Sequence, residues 1–303
     1  MEHVITIDTL QKRYGQRVAV ADVSLAIARG EIFGIVGPNG AGKTTTVECL
    51  SGLRYPDSGT VRVLGLDPRR DARTLRQRLG VQLQEAALPE RIRVCEALDL
   101  FASFYARPAD PRRLLATWGL AEQARQPVDR LSGGQRQRLF IALALINTPE
   151  VVVFDELTTA LDPQARRATW ELVRQVRDCG ATVVLVTHFM DEAEALCDRV
   201  AVIDRGTVIA LDRPAALVSA HLPPQRVQFR VQHGFEPGWL EGLPGVRHVR
   251  RRDDQVTVDG DEGLLSRVTA ALAERGLAPD DLRATRPTLE DVFLTLTGRP
   301  MSH

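Results

Sequence analysis

The chain has 303 residues and a mass of 33.5 kDa, which is too long for one minimal domain and short for three. Apolar residues make up 44% of it, enough to bury a full core, so a wholly disordered chain is excluded. Basic and acidic residues both number 39, and this neutral balance argues against a net basic field for nucleic acid or anionic lipid. We therefore expect one large domain and one small domain.

Signals for targeting and for disulfide or metal chemistry are weak. No two cysteines are close enough in sequence to form a CxxC metal pair, which predicts free thiols in a reducing compartment, at Cys49, Cys95, Cys179 and Cys197. The first residues contain no basic stretch followed by an apolar run, so no secretory signal is predicted. The apolar runs fall far short of the ~18 residues of a membrane-spanning helix, and we expect that the chain does not cross a membrane by itself.

Short runs rich in Val and Ile predict the strands of an α/β sheet. Four near-continuous apolar runs, typical of parallel strands covered on both faces, begin at Glu31, Val151, Thr182 and Arg199. The alternating runs at 18–27 and 60–64 instead favour half-buried antiparallel strands. Between these groups, residues 69–144 have a mostly helical pattern punctuated by prolines.

A break falls at Pro223 and Pro224, because consecutive prolines stop a helix and stiffen a linker. Beyond it the patterns predict strands at 226–231 and 255–260 and a helix at 262–276. A last helix is predicted from one apolar face, with Thr288 as N-cap and Gly298 at its end; the face consists of Leu289, Val292, Phe293 and Leu296. We predict a main domain at 1–220 and a small α+β domain at 221–303.

A glycine-rich loop follows the first apolar run and fits the pattern G-x-x-x-x-G-K-[ST]. Its backbone N–H groups can cradle phosphate, the Lys43 ammonium adds charge, and the Thr44 hydroxyl can ligate Mg²⁺. The alternative is a chance match, in about one chain in a thousand of this composition. The candidate phosphate-binding residues are Gly37, Pro38, Asn39, Gly40, Ala41, Gly42, Lys43, Thr44 and Thr45.

Two carboxylates end the buried run that begins at Val151. Asp155 suits Mg²⁺ binding at the end of such a strand, and Glu156 suits the activation of an attacking water. Taken alone, this segment also fits an ordinary strand that ends in a charged turn.

The segment Leu131-Ser-Gly-Gly-Gln is more specific. With it, residues 3–215 resemble the ATP-binding subunits of ABC transporters, whose defining signature is LSGGQ. The resemblance implies a P-loop α/β ATPase domain with a mixed sheet core, an antiparallel β subdomain and a helical subdomain, beside the small α+β domain. It implies ATP and Mg²⁺ as cofactors, with a Mg²⁺ site formed by Thr44, Gln84 and Asp155.

Further roles follow from this resemblance, position by position. Tyr14 stacks on adenine, and Gln84 contacts Mg²⁺ and water and senses the membrane subunit. His188 contacts the γ-phosphate, Glu156 is the general base, and Asp162 belongs to the D-loop. Alone, Tyr14 also fits a packed surface aromatic, and His188 fits a satisfied histidine at a strand end.

The signature segment is expected to act between two copies of the chain. In the family it contacts the γ-phosphate held by the other protomer, so two ATP molecules are sandwiched in a head-to-tail homodimer. The residues implied in this contact are Ser132, Gly133, Gly134 and Gln135. The other implied partner is a separate membrane permease, with this chain at the cytoplasmic face of the membrane and no nucleic acid partner.

Two residues depart from the family pattern. Leu157 stands where the family usually has proline, and Ala160 stands where it has glycine. Because Ala adopts positive φ less readily than Gly, we expect slow turnover, or turnover only with the membrane partner.

Residues 187–212 and the C-terminal TLEDVFLTLTG resemble the ATPase subunits of daunorubicin-type drug-resistance exporters. The resemblance implies ATP-driven export of a drug-like or lipid-like substrate. Three alternatives stay open: an importer subunit, a soluble ABC ATPase that remodels nucleic acid or ribosomes, and a nucleotide sensor that does not hydrolyse ATP. The transported molecule is not encoded in an ATPase subunit.

Overall fold

In the computed structural model, which describes residues 2–84, 88, 89, 91–159, 161–231 and 235–300, the chain divides into two units. These are Met1–Pro214 and Ala215–Pro300. Helix α8 (Pro214–His221) begins at this division, and the sequence-based boundary after residue 220 lies near the end of that helix. That residues 1–220 fold without the rest stays a prediction.

A nine-stranded mixed sheet organises the first unit. Its strands, in chain order, are β1 His3–Tyr14, β2 Arg17–Ala28, β3 Ile32–Val36, β4 Ser58–Val63, β5 Leu79–Gln82, β6 Val151–Asp155, β7 Thr182–Thr187, β8 Arg199–Asp204 and β9 Thr207–Asp212. Their spatial order is β4-β1-β2-β9-β8-β3-β7-β6-β5. Strands β3, β6 and β7 are buried at every position and pair in parallel, which confirms the prediction from their continuous apolar runs.

The antiparallel strands β1, β2 and β4 extend the sheet at one edge. The alternating run at 18–27 lies in β2 and the run at 60–64 overlaps β4, as predicted. Tyr14 and Arg17 pair across the turn between β1 and β2, where Gly15 has φ 58°. This register places both residues at one corner of the sheet.

Strand β5 departs from the mostly helical pattern of residues 69–144. It pairs in parallel with β6 at the other edge of the sheet. Its four residues are too few to show a period of two, so pairing with β6 decides its conformation. The strand also needs Gly80, because a Cβ there would lie 2.1 Å from the carbonyl oxygen of Ala144.

Seven helices of the first unit precede α8 among the described residues. They are α1 Lys43–Leu50, α2 Ala72–Arg76, α3 Val94–Ala102, α4 Pro111–Thr117, α5 Gly133–Ala144, α6 Pro163–Asp178 and α7 Met190–Leu196. A 3₁₀ turn spans Val128–Arg130. Within the described part of the chain, no helix has both the length and the apolar character needed to cross a membrane.

The second unit is built on a four-stranded antiparallel sheet in the order β11-β12-β10-β13. Its elements are β10 Gln225–Arg230, β11 Val246–Arg252, β12 Gln255–Gly260, α9 Leu264–Glu274, β13 Asp280–Thr285 and α10 Leu289–Thr297, with a 3₁₀ helix at Pro237–Gly242. Helix α9 packs on the face of the sheet that carries Val227, Phe229 and Val258. The sequence predicts β10, β12 and both helices, but not β11 and β13, whose polar sequences lack apolar alternation.

Helix α10 has the predicted caps but a narrower buried face than predicted. Thr288 and Asp291 form a capping box, and Gly298 ends the helix at φ 70°. Leu289, Val292 and Phe293 are buried. Leu296 is 37% exposed, so its assignment to the buried face is wrong: it lies in the last turn, beyond the part of the helix that packs.

A buried charge network ties α10 to the sheet. Arg226 in β10 lies on the opposite face from Val227, where its Nε donates to Asp259 Oδ1 at 2.6 Å. The same guanidinium donates to Asp291 in α10, and Arg250 Nη2 donates to Asp259 Oδ2 at 2.6 Å. Burial raises the pKa of the Asp291 carboxyl, but the hydrogen bond and charge of Arg226 and the hydrogen bonds from Thr288 together outweigh burial, so that pKa is lowered. Asp291 is thus held as a carboxylate paired with Arg226.

We expect Arg226→Met to destabilise the second unit by about 3–5 kcal/mol, because it leaves the buried Asp259 carboxylate without its main partner. Arg230→Met is the matched control on the same strand, since Arg230 is exposed and pairs with the exposed Asp281 at 3.7 Å. That change should cost about 1 kcal/mol or less. Amide hydrogen exchange of β10 and β12 in the full-length chain measures both, and equal protection in the two variants would contradict the assignment.

Candidate functional site

A cleft of about 680 Å³ gathers residues that are far apart in sequence. Its lining residues are Tyr14, Arg17, Ala19, Asn39, Gly40, Gly42, Lys43, Thr44, Thr45, Gln84, Glu156, Thr159 and His188. The glycine-rich loop follows β3, Gln84 follows β5, Glu156 follows β6 and His188 follows β7. The cleft therefore lies at the carboxyl ends of parallel strands, where open α/β sheets bind their ligands.

Two glycines of the loop are required by close contacts with the backbone. A Cβ at Gly37 (φ 153°) would lie 2.1 Å from the carbonyl oxygen of Ile203, and one at Gly42 (φ 104°) would lie 2.5 Å from that of Ala19. Gly42 is also the N-cap of α1 and is left-handed there. The loop thus presents backbone N–H groups and the positive end of α1 to the cleft, which is an arrangement that binds phosphate.

The Lys43 ammonium is buried against this loop. Its Nζ donates to the carbonyl oxygens of Gly37 at 2.8 Å and Pro38 at 3.1 Å. It lies 3.9 Å from Glu156 Oε1. Burial lowers the pKa of Lys43, while the carboxylates of Glu156 and Asp155 oppose that shift. The positive charge of the Lys43 ammonium is therefore incompletely balanced by these carboxylates, and a phosphate oxygen would supply the missing negative charge.

Asp155 is fully buried, and neither carboxylate oxygen has a hydrogen-bond partner among the described residues. Burial raises its pKa to about 6, Glu156 adds to the shift, and Thr44 and Lys43 oppose it. Such a carboxylate beside a hydroxyl suits a hard divalent cation such as Mg²⁺. No group of three or more His, Cys, Asp or Glu among the described residues could hold a metal alone. Phosphate and water would supply the remaining ligands.

Glu156 and His188 meet above the loop. The Glu156 Oε1 atom is 3.2 Å from His188 Nδ1, and the Thr159 hydroxyl donates to Glu156 Oε2 at 3.3 Å. Glu156 has φ 52°, a left-handed conformation that costs a non-glycine residue energy and is typical of functional turns. The pair can bind and orient a water, with the carboxylate as proton acceptor.

Tyr14 stands at the mouth of the cleft with 42% of its surface exposed. Lys12 Nζ and Arg54 Cζ lie 5.7 and 6.0 Å from its ring centroid, as in cation–π contacts. Its cross-strand partner Arg17 reaches the loop, with Nη2 placed 3.4 Å from where a Gly40 Cβ would lie. Arg17 is not among the residues predicted from the sequence, although the short turn after Tyr14 could have indicated it.

The signature segment is not among the described residues that line this cleft. It begins α5: Ser132 is the N-cap, its Oγ accepts from Gln135 N at 3.3 Å, and Gln135 Oε1 accepts from Ser132 N at 3.0 Å. Asp162 likewise caps α6 and accepts from the backbone N–H groups of Gln164 and Ala165. Within one chain, Ser132 and Asp162 therefore act as helix caps outside the cleft.

The remaining predicted residues lie around the cleft. Gly37 and Pro38 face Lys43 through their carbonyl groups, and Ala41 is buried. Leu157, which departs from the family pattern, is also buried. Ala160, the other departure, lies outside the described residues.

We expect Arg17→Ala to lower the affinity for ATP about 10-fold, because a hydrogen bond to a charged group contributes about 1.5–3 kcal/mol and this guanidinium reaches the phosphate loop. Arg13→Ala is the control, since Arg13 is exposed and is not among the described residues that line the cleft. Calorimetric titration of both variants with ATP is the measurement. Equal affinities would exclude Arg17 from nucleotide binding.

Comparisons with known proteins agree with this geometry. Residues 20–159 match the sequence profile of the family described as ABC transporter. The chain is 40% identical to the daunorubicin resistance ATP-binding protein DrrA3 of Streptomyces coeruleorubidus, over 97% of this chain and 96% of that protein. It is 38% identical to the Nod factor export ATP-binding protein I of Ralstonia nicotianae, over 98% and 95%.

Solved structures give the same fold. A structure described as the ATP-binding subunit of an ABC transporter aligns with a TM-score of 0.64 and 26% identity, covering 72% of this chain and 92% of that one. The cbiO1 protein of Clostridium perfringens, described as part of an ABC transporter complex, aligns with a TM-score of 0.65, 26% identity and the same coverage. The chain therefore belongs to the ABC transporter family of ATP-binding subunits, which bind and hydrolyse ATP.

Proposed function

We propose that this chain hydrolyses ATP to power export of a drug-like or lipid-like substrate through a separate membrane permease. The observation that carries the direction of transport is the match, over 95% or more of each chain, to ATP-binding proteins of daunorubicin resistance and Nod factor export. That match includes the second unit as well as the ATPase unit. We place the chain at the cytoplasmic face of the membrane, where its permease would hold it.

The cleft supports a specific division of roles. The glycine-rich loop and Lys43 bind the β- and γ-phosphates, and Tyr14 stacks on adenine. Thr44, Asp155 and Gln84 would hold Mg²⁺, which supplies positive charge against the phosphate oxygens. These side chains fix the terminal phosphate beneath Glu156.

Hydrolysis then needs a group beside the γ-phosphate that accepts a proton from the attacking water. A water oxygen bonds to the γ-phosphorus as the bond to the β–γ bridging oxygen breaks, and Glu156 takes the proton of the water. His188, 3.2 Å from Glu156, orients the water and contacts the γ-phosphate.

The signature segment is proposed to act on ATP bound by a second copy. Gly133 and Gly134 lack positive φ, and the nearest described atom to a Cβ at Gly133 would be 3.8 Å away. At Gly134 no described atom lies within 4 Å. Glycine costs a helix up to about 1 kcal/mol relative to Ala, so nothing in this part of the chain explains two of them. Close approach of a nucleotide held by the partner copy does, in a head-to-tail homodimer.

We propose that the second unit supports assembly, of the dimer or with the permease. The burial of Phe293 and the charge network at Arg226 make α10 a fixed part of that unit. Every residue proposed to bind ATP lies in the first unit.

Glu156→Gln should keep ATP binding and lower turnover by about 10²- to 10⁴-fold, because the amide cannot accept a proton. With ATP the variant should elute at twice the monomer mass. Glu150→Gln is the control, since Glu150 precedes the same strand and pairs with Arg78 on the surface. Steady-state hydrolysis by the full-length chain is measured; turnover within about threefold of wild type removes Glu156 from the base role.

Lys43→Ala should lose ATP affinity, whereas Ser132→Arg should keep that affinity and lose ATP-dependent dimerisation. The reason is that Lys43 lines the cleft of its own chain, whereas Ser132 is exposed elsewhere. Ser103→Arg, at another exposed serine, is the control for adding a charge. Nucleotide titration and size-exclusion chromatography separate the two effects, and an equal loss of ATP affinity in both variants would rule out the head-to-tail arrangement.

A further inference from the structure

Helices α6 and α7 are joined along one face by a row of contacts, which we call the α6–α7 seam. Its contacts are the Arg166 guanidinium over the Phe189 ring (4.1 Å), Trp170 Nε1 donating to Glu192 Oε1 (3.1 Å) and Arg174 Nη2 donating to Ala195 O (3.0 Å). The contacts recur every four residues on α6 and every three on α7, which is the spacing of one helix face. Because both residue numbers rise together, the helices run parallel and begin at the same end.

Both helices begin directly after the segments that carry the proposed catalytic pair. Helix α6 begins at Pro163, capped by Asp162, in the segment after Glu156, and α7 begins at Met190, just after His188. The two side chains meet at 3.2 Å. The seam therefore connects the two helices that follow Glu156 and His188, the side chains that must meet in the cleft.

Glu192, in the middle of the seam, is an unusual residue for a protein interior. It is 1% exposed, and only one of its carboxylate oxygens has a hydrogen-bond partner among the described residues. Burial raises its pKa, while the hydroxyls of Thr187 and Thr158 and the Trp170 indole oppose the shift. Both threonines are buried as well. A carboxyl buried here is costly unless its neighbours donate hydrogen bonds to it.

The neighbours of Glu192 point to its role. Thr158 comes two positions after Glu156, and Thr187 directly precedes His188. Glu192 bonds directly to helix α6 through Trp170, and the hydroxyls of Thr158 and Thr187 lie near enough to favour its ionised form. Glu192 is not among the described residues that line the cleft, so its influence on hydrolysis must pass through these neighbours.

We propose that Glu192 is a positioning residue for ATP hydrolysis. It lies outside the cleft and fixes the positions of Glu156 and His188 relative to each other. The inference rests on the proposed roles of that pair. A misplacement of about 1 Å at a reacting group can cost about 10²-fold in rate, so a small shift of either residue suffices. ATP binding depends on the loop after β3 instead and should be spared.

The first experiment compares Glu192→Ala with Glu192→Gln in the full-length chain. We expect kcat to fall about 10-fold or more in the alanine variant, with the Kd for ATP within about threefold. The glutamine variant should recover most of kcat, because its amide oxygen still accepts from Trp170 and its NH₂ can donate to a threonine hydroxyl. Glu194→Ala, an exposed carboxylate of the same helix, is the control and should match wild type. Parallel loss of kcat and ATP affinity, or no rescue by glutamine, overturns the proposal.

A milder variant keeps the test decisive if Glu192→Ala does not fold. Trp170→Phe removes only the indole N–H of the seam. It should lower kcat and leave the Kd for ATP unchanged. A folded Trp170→Phe protein with wild-type kcat contradicts the proposal.

A double-mutant cycle separates this proposal from the role of Glu156 itself. In a Glu156→Gln background, Glu192→Ala should cause no further loss of turnover, because the pair that it positions is already inactive. Losses that multiply would show that Glu192 acts by another route. If Glu156→Gln alone retains turnover, the proposed base is wrong, and that result is read from the single variant independently of Glu192.

Discussion

Parallel pairing of β3, β7, β6 and β5 brings four carboxyl ends to one edge of the sheet, and the site depends on this. Each strand is followed by one part of the cleft: the phosphate loop, His188, Glu156 and Gln84. The strands are buried, so their register is fixed by packing on both faces. The geometry of the proposed site is therefore a consequence of strand order rather than of the loops themselves.

The cleft holds charges that its own chain leaves incompletely paired. Burial lowers the pKa of Lys43 and raises that of Asp155, so each group is driven toward its neutral form. A triphosphate brings negative charge to the first, and a divalent cation brings positive charge to the second. The same desolvation that penalises these buried charges therefore favours the binding of ligands of opposite charge.

The second unit uses buried charge in the opposite way. Arg226 is surrounded by Asp259 and Asp291, and Arg250 completes the set. The charges of this network are paired with one another within the second unit. The network therefore fixes α10 to the sheet and does not form a ligand-binding site. The Glu192 carboxyl in the first unit is intermediate, because among the described residues one of its oxygens has a hydrogen-bond partner and the other has none.

The sequence by itself determined the phosphate loop, strands β3, β6 and β7 and the caps of α10, because glycine spacing, continuous apolar runs and capping residues act over a few neighbours. Only the tertiary structure decided β5, β11 and β13, since short or polar edge strands have no local period and form by pairing. It also decided that Leu296 is exposed, that Arg17 reaches the cleft and that Glu192 meets Trp170. Those facts depend on contacts between residues distant in the chain, which no local pattern records.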